Sequence, residues 1–164
     1  MSLNYPLRCC WMKKGQQKRI TAFSGKRQYL HLIGAYNWLS DEVTCLDVER
    51  KNSDTFITFL EKILVETYPT QAIVIVMDNA SYHYSRKVQA ALSLFEHRVQ
   101  ILCLPQYCPE LNLIERFWLH LKSSACANKL YATLSSLRDA VSHLLALQNE
   151  PLNPQRLLFS KDFR

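Results

Sequence analysis

The chain has 164 residues, of which 48% are hydrophobic and 21% charged, enough for one domain with a sizeable core and too apolar for a disordered segment. It contains no apolar run of about eighteen residues and no charged-then-apolar leader, so we expect neither a membrane-spanning helix nor a secretion signal, and a soluble, intracellular protein. The formal charge of +6 is uneven: Arg8, Lys13, Lys14, Lys18, Arg19, Lys26 and Arg27 all precede the first acidic residue, Asp41. Such a one-signed segment is either a phosphate-contacting surface or a solvated basic edge. Cys9 and Cys10 are adjacent, and Cys45, Cys103, Cys108 and Cys126 are scattered without zinc-ligand spacing, so reduced and mostly buried thiols are expected in place of a zinc site or a disulfide framework.

In chain order, the pattern up to Trp11 is weak. Residues 17–23 and 29–38 read as strands joined by Ser24-Gly25-Lys26-Arg27, whose glycine and polar residues suit a hairpin. Residues 42–48 alternate Val43, Cys45 and Asp47 against Thr44, Leu46 and Val48, a third strand after a Ser40-Asp41 turn, completing an antiparallel meander. Asn52-Ser53 supplies an N-cap for a helix with apolar positions Phe56, Phe59, Leu60, Ile63 and Leu64, ending before Pro69. The unbroken run Ala72-Ile73-Val74-Ile75-Val76-Met77 is short and rich in β-branched residues, and reads as a strand buried on both faces. Ser85 caps a helix with Val88, Ala91, Leu92 and Phe95 on its buried side, and a further strand spans 99–104. A last helix over 134–147 carries Leu137, Val141, Leu144, Leu145 and Leu147, and residues 149–164, with Pro151 and Pro154, read as an extended tail behind a domain of residues 1–148.

Two carboxylates stand out against this frame. Asp78 ends the apolar strand of residues 72–77 and is followed by Asn79-Ala80-Ser81-Tyr82-His83, at the strand end where open α/β sheets place their chemistry. Glu115 lies in a helix that begins at Asn112, beside an apolar stripe of Leu111, Ile114, Trp118 and Leu121, which turns the carboxylate toward the sheet. Each has a second reading. Asp-Asn at a strand end is ordinary turn chemistry, and Asn112-x-x-Glu115 has the spacing of a capping box, which would occupy the glutamate at the helix start.

The block MDNASYH followed by LPQYCPELNLIERFWLHLK closely resembles the second and third catalytic blocks of DDE transposases, in the branch joining mariner-like elements to related bacterial insertion sequences. Residues 79–114 separate the two acids, about the separation of that branch, and a weaker likeness runs from Trp11-Met12-Lys13-Lys14-Gly15, its "W, then KG" turn, to about Leu147. The resemblance implies an α/β fold, an RNase H-like mixed sheet flanked by helices, here with its first central strand missing. It implies metal-dependent cleavage and strand transfer of double-stranded DNA at transposon ends, with Mg²⁺ or Mn²⁺ held by three acids, of which Asp78 and Glu115 are the second and third. Asn79 and His83 would then orient water or contact phosphate, and Lys122, seven residues past Glu115 on the same helix face, would reach a DNA phosphate, as would Lys13, Lys14, Lys18 and Arg19.

No residue suits the first acid. Asp41 falls in a turn, Asp47 in an alternating strand and Asp54 at a helix start, so the chain alone is expected to hold one ion at most and to be inactive. The resemblance further implies a cytoplasmic, nucleoid-associated protein of a bacterium or archaeon. The alternative is a non-catalytic, transposase-derived module that binds DNA or associates with itself, since a sheet lacking a central strand exposes edges that favour a homodimer or strand-swapped oligomer.

Overall fold

Alternation of apolar and polar residues produces a hairpin where it is clearest. In the computed structural model, which describes residues 12–16, 28–106, 108 and 111–159, β1 (His31–Asn37) and β2 (Glu42–Val48) pair antiparallel, from His31 opposite Val48 to Asn37 opposite Glu42. The bounds of β2 are those the pattern predicts; β1 is shorter than the expected 29–38. Asn37 fixes the turn between them, its side-chain oxygen accepting from the backbone N–H groups of Leu39 and Ser40. Asp41 sits there at φ 56°, a left-handed conformation that aspartate tolerates better than most residues. The strand expected at 17–23, the turn at 24–27, and Lys18 and Arg19 lie outside the described residues. Lys13 and Lys14 are exposed in a turn closed by the Gln16 N–H to the Lys13 carbonyl at 3.0 Å, with Gly15 at φ 84°.

α1 (Ser53–Glu61) starts at a reciprocal cap between Asn52 and Thr55 and continues as one π-helical turn, Lys62–Thr67. Its buried side is Phe56, Phe59, Leu60, Ile63 and Leu64, the five positions that periodicity selects. β3 (Ile73–Met77) leads through a short 3₁₀ turn, Ser81–Tyr84, into α2 (Arg86–Ser93), whose Ser85 hydroxyl accepts from the Val88 N–H. β4 (Val99–Cys103) then pairs parallel with β3, Ile73 opposite Val99 and Met77 opposite Cys103, so α2 forms the crossover. α3 (Leu113–Cys126) and α4 (Leu134–Asn149) complete the described elements.

Two apolar clusters define the layers. In the first, Ile33 and Val48 of the hairpin and Met77 of β3 share a core with α1, Val88 and Leu92, and Ile73, Ile75 and Ile101 pack against it. Both strand pairs therefore lie over the α1–α2 layer. In the second, Leu30 and Val43 meet Phe117, Leu121, Ala125, Cys126, Leu137 and Val141, so the hairpin's other face is covered by α3 and α4. α3 packs on β1 and α4 on β2. Gly34 makes the first contact possible: a Cβ there would lie 2.8 Å from the Trp118 ring and 2.9 Å from Cys45 Sγ. Trp118 is thus seated against the strand as packing, and it joins the second cluster.

That arrangement corrects one expectation. β3 is not buried on both faces: Val74 is 58% and Val76 46% exposed, and Leu102 on β4 is 54% exposed. α3 and α4 are committed to the hairpin, and among the described residues no element covers this side of β3–β4. An unbroken apolar run shows that a strand could be covered twice, not that the chain covers it. Among the described residues β1 pairs only with β2 and β3 only with β4, so the mixed sheet is present as two pieces.

Residues 150–159 form no regular strand, yet they are bound to the hairpin end. Asn149 acts as an adhesive strand segment would, accepting from the Val43 N–H at 2.8 Å and donating to the Val43 carbonyl at 2.9 Å. The Gln148 amide donates to the carbonyls of Asp41 and Leu157 at 2.8 and 2.9 Å and accepts from the Leu157 N–H at 3.0 Å. The Tyr36 hydroxyl donates to Asp41 and accepts from the Phe159 N–H, and Arg156 donates to the Ser40 carbonyl. Burial, and then the bond to Asp41, raise Tyr36 well above the ordinary phenol range. Of the described cysteines, only Cys126 is fully buried and Cys103 is exposed, so the expectation of mostly buried thiols holds only in part; none of these four is in a disulfide. Burial pushes the Cys45 thiol up to about 12, well away from thiolate reactivity.

Candidate active site

The parallel pairing brings the ends of β3 and β4 together. One further ladder bond, Leu104 N–H to the Met77 carbonyl at 2.9 Å, holds the chain together just where Asp78 leaves the strand. A cavity of about 400 Å³ opens there, lined by Asp78, Asn79, Leu104, Pro105, Gln106, Cys108, Asn112 and Glu115. The two acids that stand far apart in sequence line the same cavity.

Asp78 serves the turn as well. Its Oδ1 accepts from the Ala80 N–H at 3.1 Å, while its side chain keeps 55% of its exposure. Turn and cavity readings coexist because a carboxylate has two oxygens. Glu115 stands in the first turn of α3, where a negative charge interacts well with the free N–H groups of a helix start. Asn112 precedes that helix in extended backbone and its side chain makes no cap hydrogen bond, so the capping box that the spacing allowed is not formed. The glutamate is exposed and lines the cavity.

The helix itself packs differently from the expected stripe. Phe117, absent from that stripe, is 1% exposed, whereas Leu111, included in it, is 54% exposed. Ile114, Trp118 and Leu121 do pack into the second cluster as the stripe predicts, whereas Leu111 precedes the helix, so its spacing carries no helical meaning.

Of the polar residues after Asp78, His83 turns inward while Asn79 and Ser81 stay exposed. Asn79 lines the cavity and staples its two walls: its amide donates to the Leu104 carbonyl at 2.7 Å, and its oxygen accepts from the Tyr84 hydroxyl at 2.5 Å. His83 is 6% exposed and does not line the cavity; its Nδ1 lies 3.2 Å from both the carbonyl oxygen and Oδ1 of Asp78. Lys122 is exposed on α3, outside the cavity lining. Of the acids rejected as a third ligand, Asp41 bonds Tyr36, Asp47 pairs with Arg138 and Asp54 with Lys87. Tyr84, Gln106 and Cys108 were not selected by sequence, and nothing but proximity to the two blocks marks them.

Two carboxylates flanked by the amide side chains of Gln106 and Asn112 make an oxygen-rich donor set, with Cys108 its one soft atom. Such a set fits a hard divalent cation. Among the described residues no group of three His, Cys, Asp or Glu side chains gathers around a common point.

Residues 2–138 match the family model described as DDE superfamily endonuclease. A curated relative, the insertion element IS630 uncharacterized 39 kDa protein of Shigella sonnei, is 27% identical over 143 residues, covering 87% of this chain and 41% of that protein. The chain thus spans less than half the length of this relative. Among solved structures, the fold is similar to the Mos1 transposase paired-end complex with left transposon end (TM-score 0.64, 19% identity, covering 87% of this chain and 44% of that one). It is also similar to a chain of the simian T-cell lymphotropic virus intasome in complex with PP2A regulatory subunit B56 gamma (TM-score 0.61, 21% identity, 90% and 55%). The RNase H-like fold expected from the sequence is the one these neighbours share, and with 137 of its residues under the family model the chain belongs to the DDE superfamily of endonucleases.

Proposed function

We propose that this chain contributes two of the metal-binding carboxylates of a transposase that cuts and rejoins double-stranded DNA at transposon ends. The observation that carries the reading is the shared cavity of Asp78 and Glu115, at the joined ends of two parallel strands. A Mg²⁺ or Mn²⁺ ion held between them would supply the positive charge that activates a water or 3′-hydroxyl and stabilises the leaving oxygen. The chain's own residues set the geometry. Asn79 keeps the cavity walls at a fixed separation, the start of α3 presents Glu115, and Lys122, with Lys13 and Lys14, offers exposed cations to the DNA backbone. Binding through such contacts is salt-sensitive and largely independent of sequence. With two carboxylates the chain by itself holds one ion and leaves DNA uncut. The proposed setting is a bacterial or archaeal cytoplasm, on nucleoid DNA, and the likeness to a bacterial insertion-element protein supports the bacterial one.

Titration with Mn²⁺, followed by electron paramagnetic resonance, tests this reading. One ion is expected per wild-type chain, and Asp78→Asn should weaken its binding by more than about tenfold. Equal binding by both proteins, with DNA affinity indifferent to metal, would instead establish a non-catalytic DNA-binding module.

A second reading, self-association, is favoured by the exposed apolar residues Val74, Val76 and Leu102 and by the pairing of β1 and β3 on one side only among the described residues. A homodimer or strand-swapped oligomer should appear in sedimentation velocity as the concentration rises through the micromolar range. A single monomeric species throughout would rule it out.

A further inference from the structure

We infer that His83 is a positioning residue for Asp78, fixing which carboxylate oxygen faces the cavity; the inference rests on the metal reading of Asp78 given above. Sequence placed His83 among DNA contacts, but a side chain 6% exposed and absent from the cavity lining cannot reach a phosphate. What it does reach is Asp78. Nδ1 hydrogen-bonds the Asp78 carbonyl oxygen at 3.2 Å, an acceptor only, so Nδ1 carries the proton and donates, and the carboxylate Oδ1 lies beside the same Nδ1 at 3.2 Å. Oδ1 receives the Ala80 N–H at 3.1 Å. That hydrogen bond and the polar Nδ1–H edge beside the same oxygen hold Oδ1 in place and leave Oδ2, which has no partner among the described residues, for the cavity.

The ring is held firmly enough to do this. Its centroid lies 4.3 Å from that of Phe56 and 4.4 Å from that of Tyr82. Phe56 is itself a core residue of α1, 5% exposed. The backbone is fixed as well, by the His83 N–H to the Ala80 carbonyl at 3.0 Å and by Gln89, whose amide donates to the His83 carbonyl at 3.3 Å. Through this contact the rigidity of the first apolar cluster reaches a carboxylate that is half open to solvent. Groups that orient a metal ligand in this way commonly change metal affinity without touching the metal.

Three substitutions separate the donor from the ring. His83→Phe keeps an aromatic between Phe56 and Tyr82 but lacks the N–H; it should melt close to wild type while Mn²⁺ affinity falls by about 10–100-fold. His83→Asn places its amide nitrogen near the position of Nδ1 and should restore affinity to within about threefold of wild type. His83→Gln sets the donor one bond farther out and should behave like the phenylalanine variant. Wild-type affinity in His83→Phe, or equal losses in the Asn and Gln variants, overturns the inference, and the Asn–Gln comparison alone decides it should the Phe variant not fold. Asp78→Asn is measured alongside. If it too binds Mn²⁺ like wild type, the metal reading falls and the role of His83 with it; if it alone loses the ion, only the role of His83 falls.

Discussion

Phe117→Ala is expected to destabilise the protein by about 3–5 kcal/mol, the cost of emptying an aromatic site that the core cannot collapse to fill. The ring is 1% exposed and lies in a cluster with Leu30 and Val43 of the hairpin region, Leu121 of its own helix, and Leu137 and Val141 of α4. It is the largest side chain buried to that degree. Because a domain's whole stability is about 5–15 kcal/mol, the loss is a large share of what is available. Urea denaturation followed by circular dichroism measures it as a lowered midpoint. Leu119→Ala, two residues along and 58% exposed, is the control, with an expected change within about 0.5 kcal/mol. Similar midpoints for the two variants would mean that α3 does not dock on β1 through Phe117. Since Glu115 stands two residues before Phe117 on the same helix, the truncation should loosen the cavity wall too and weaken Mn²⁺ binding.

Asp41→Ala is expected to cost about 2–4 kcal/mol, from two separable causes. The carboxylate accepts from the Tyr36 hydroxyl, and Asp41 is 5% exposed, so its removal leaves a half-buried phenol without its acceptor. Alanine must also adopt the φ of 56° at that position, which a Cβ opposes. Asp41→Gly relieves the second cause and keeps the first; Asp41→Asn retains both an acceptor and tolerance of the left-handed region. The order of stability should therefore run wild type and Asn, then Gly, then Ala. An alanine variant as stable as wild type would show that the contacts of Gln148, Leu157 and Phe159 hold the C-terminal segment without help from Asp41. This network sits at the Asn37 end of the hairpin, beside Tyr68, to whose hydroxyl Asn37 donates at 2.8 Å. Tyr68 precedes β3 and Asp78 follows it, so Asp41 bears on stability from the opposite end of that strand to the cavity.

The extents of the elements were largely legible from local chemistry. Alternation at 42–48 located β2 to the residue, the five apolar positions from Phe56 to Leu64 are the buried side of α1 and its continuation, and Asn52 and Ser85 cap the helices they were expected to cap. These features depend on side-chain period and on hydrogen bonds within a few residues, which a sequence displays directly. The Asp78 and Glu115 blocks could be recognised for a related reason, since the residue types and their order carry the family likeness.

What the sequence could not display were the choices made between distant segments. Whether β3 would be covered on one face or two depended on where α3 and α4 docked, and they docked on the hairpin because Gly34 admits Trp118 and the hairpin offers Leu30 and Val43 to Phe117. Whether Glu115 would cap its helix or face the cavity was a competition for one carboxylate, and the described geometry leaves the cap bond unmade. His83 has the composition of a ligand or a phosphate contact, and only the stacking of Phe56 from a helix 27 residues away turns it inward onto Asp78. The sequence by itself determined the described strands and helices and where the two acids stand along the chain, because those are written in local periodicity and residue type. The tertiary structure alone decided which faces are bare and which polar groups meet, because burial and hydrogen-bond partnership belong to pairs of segments that only folding brings together.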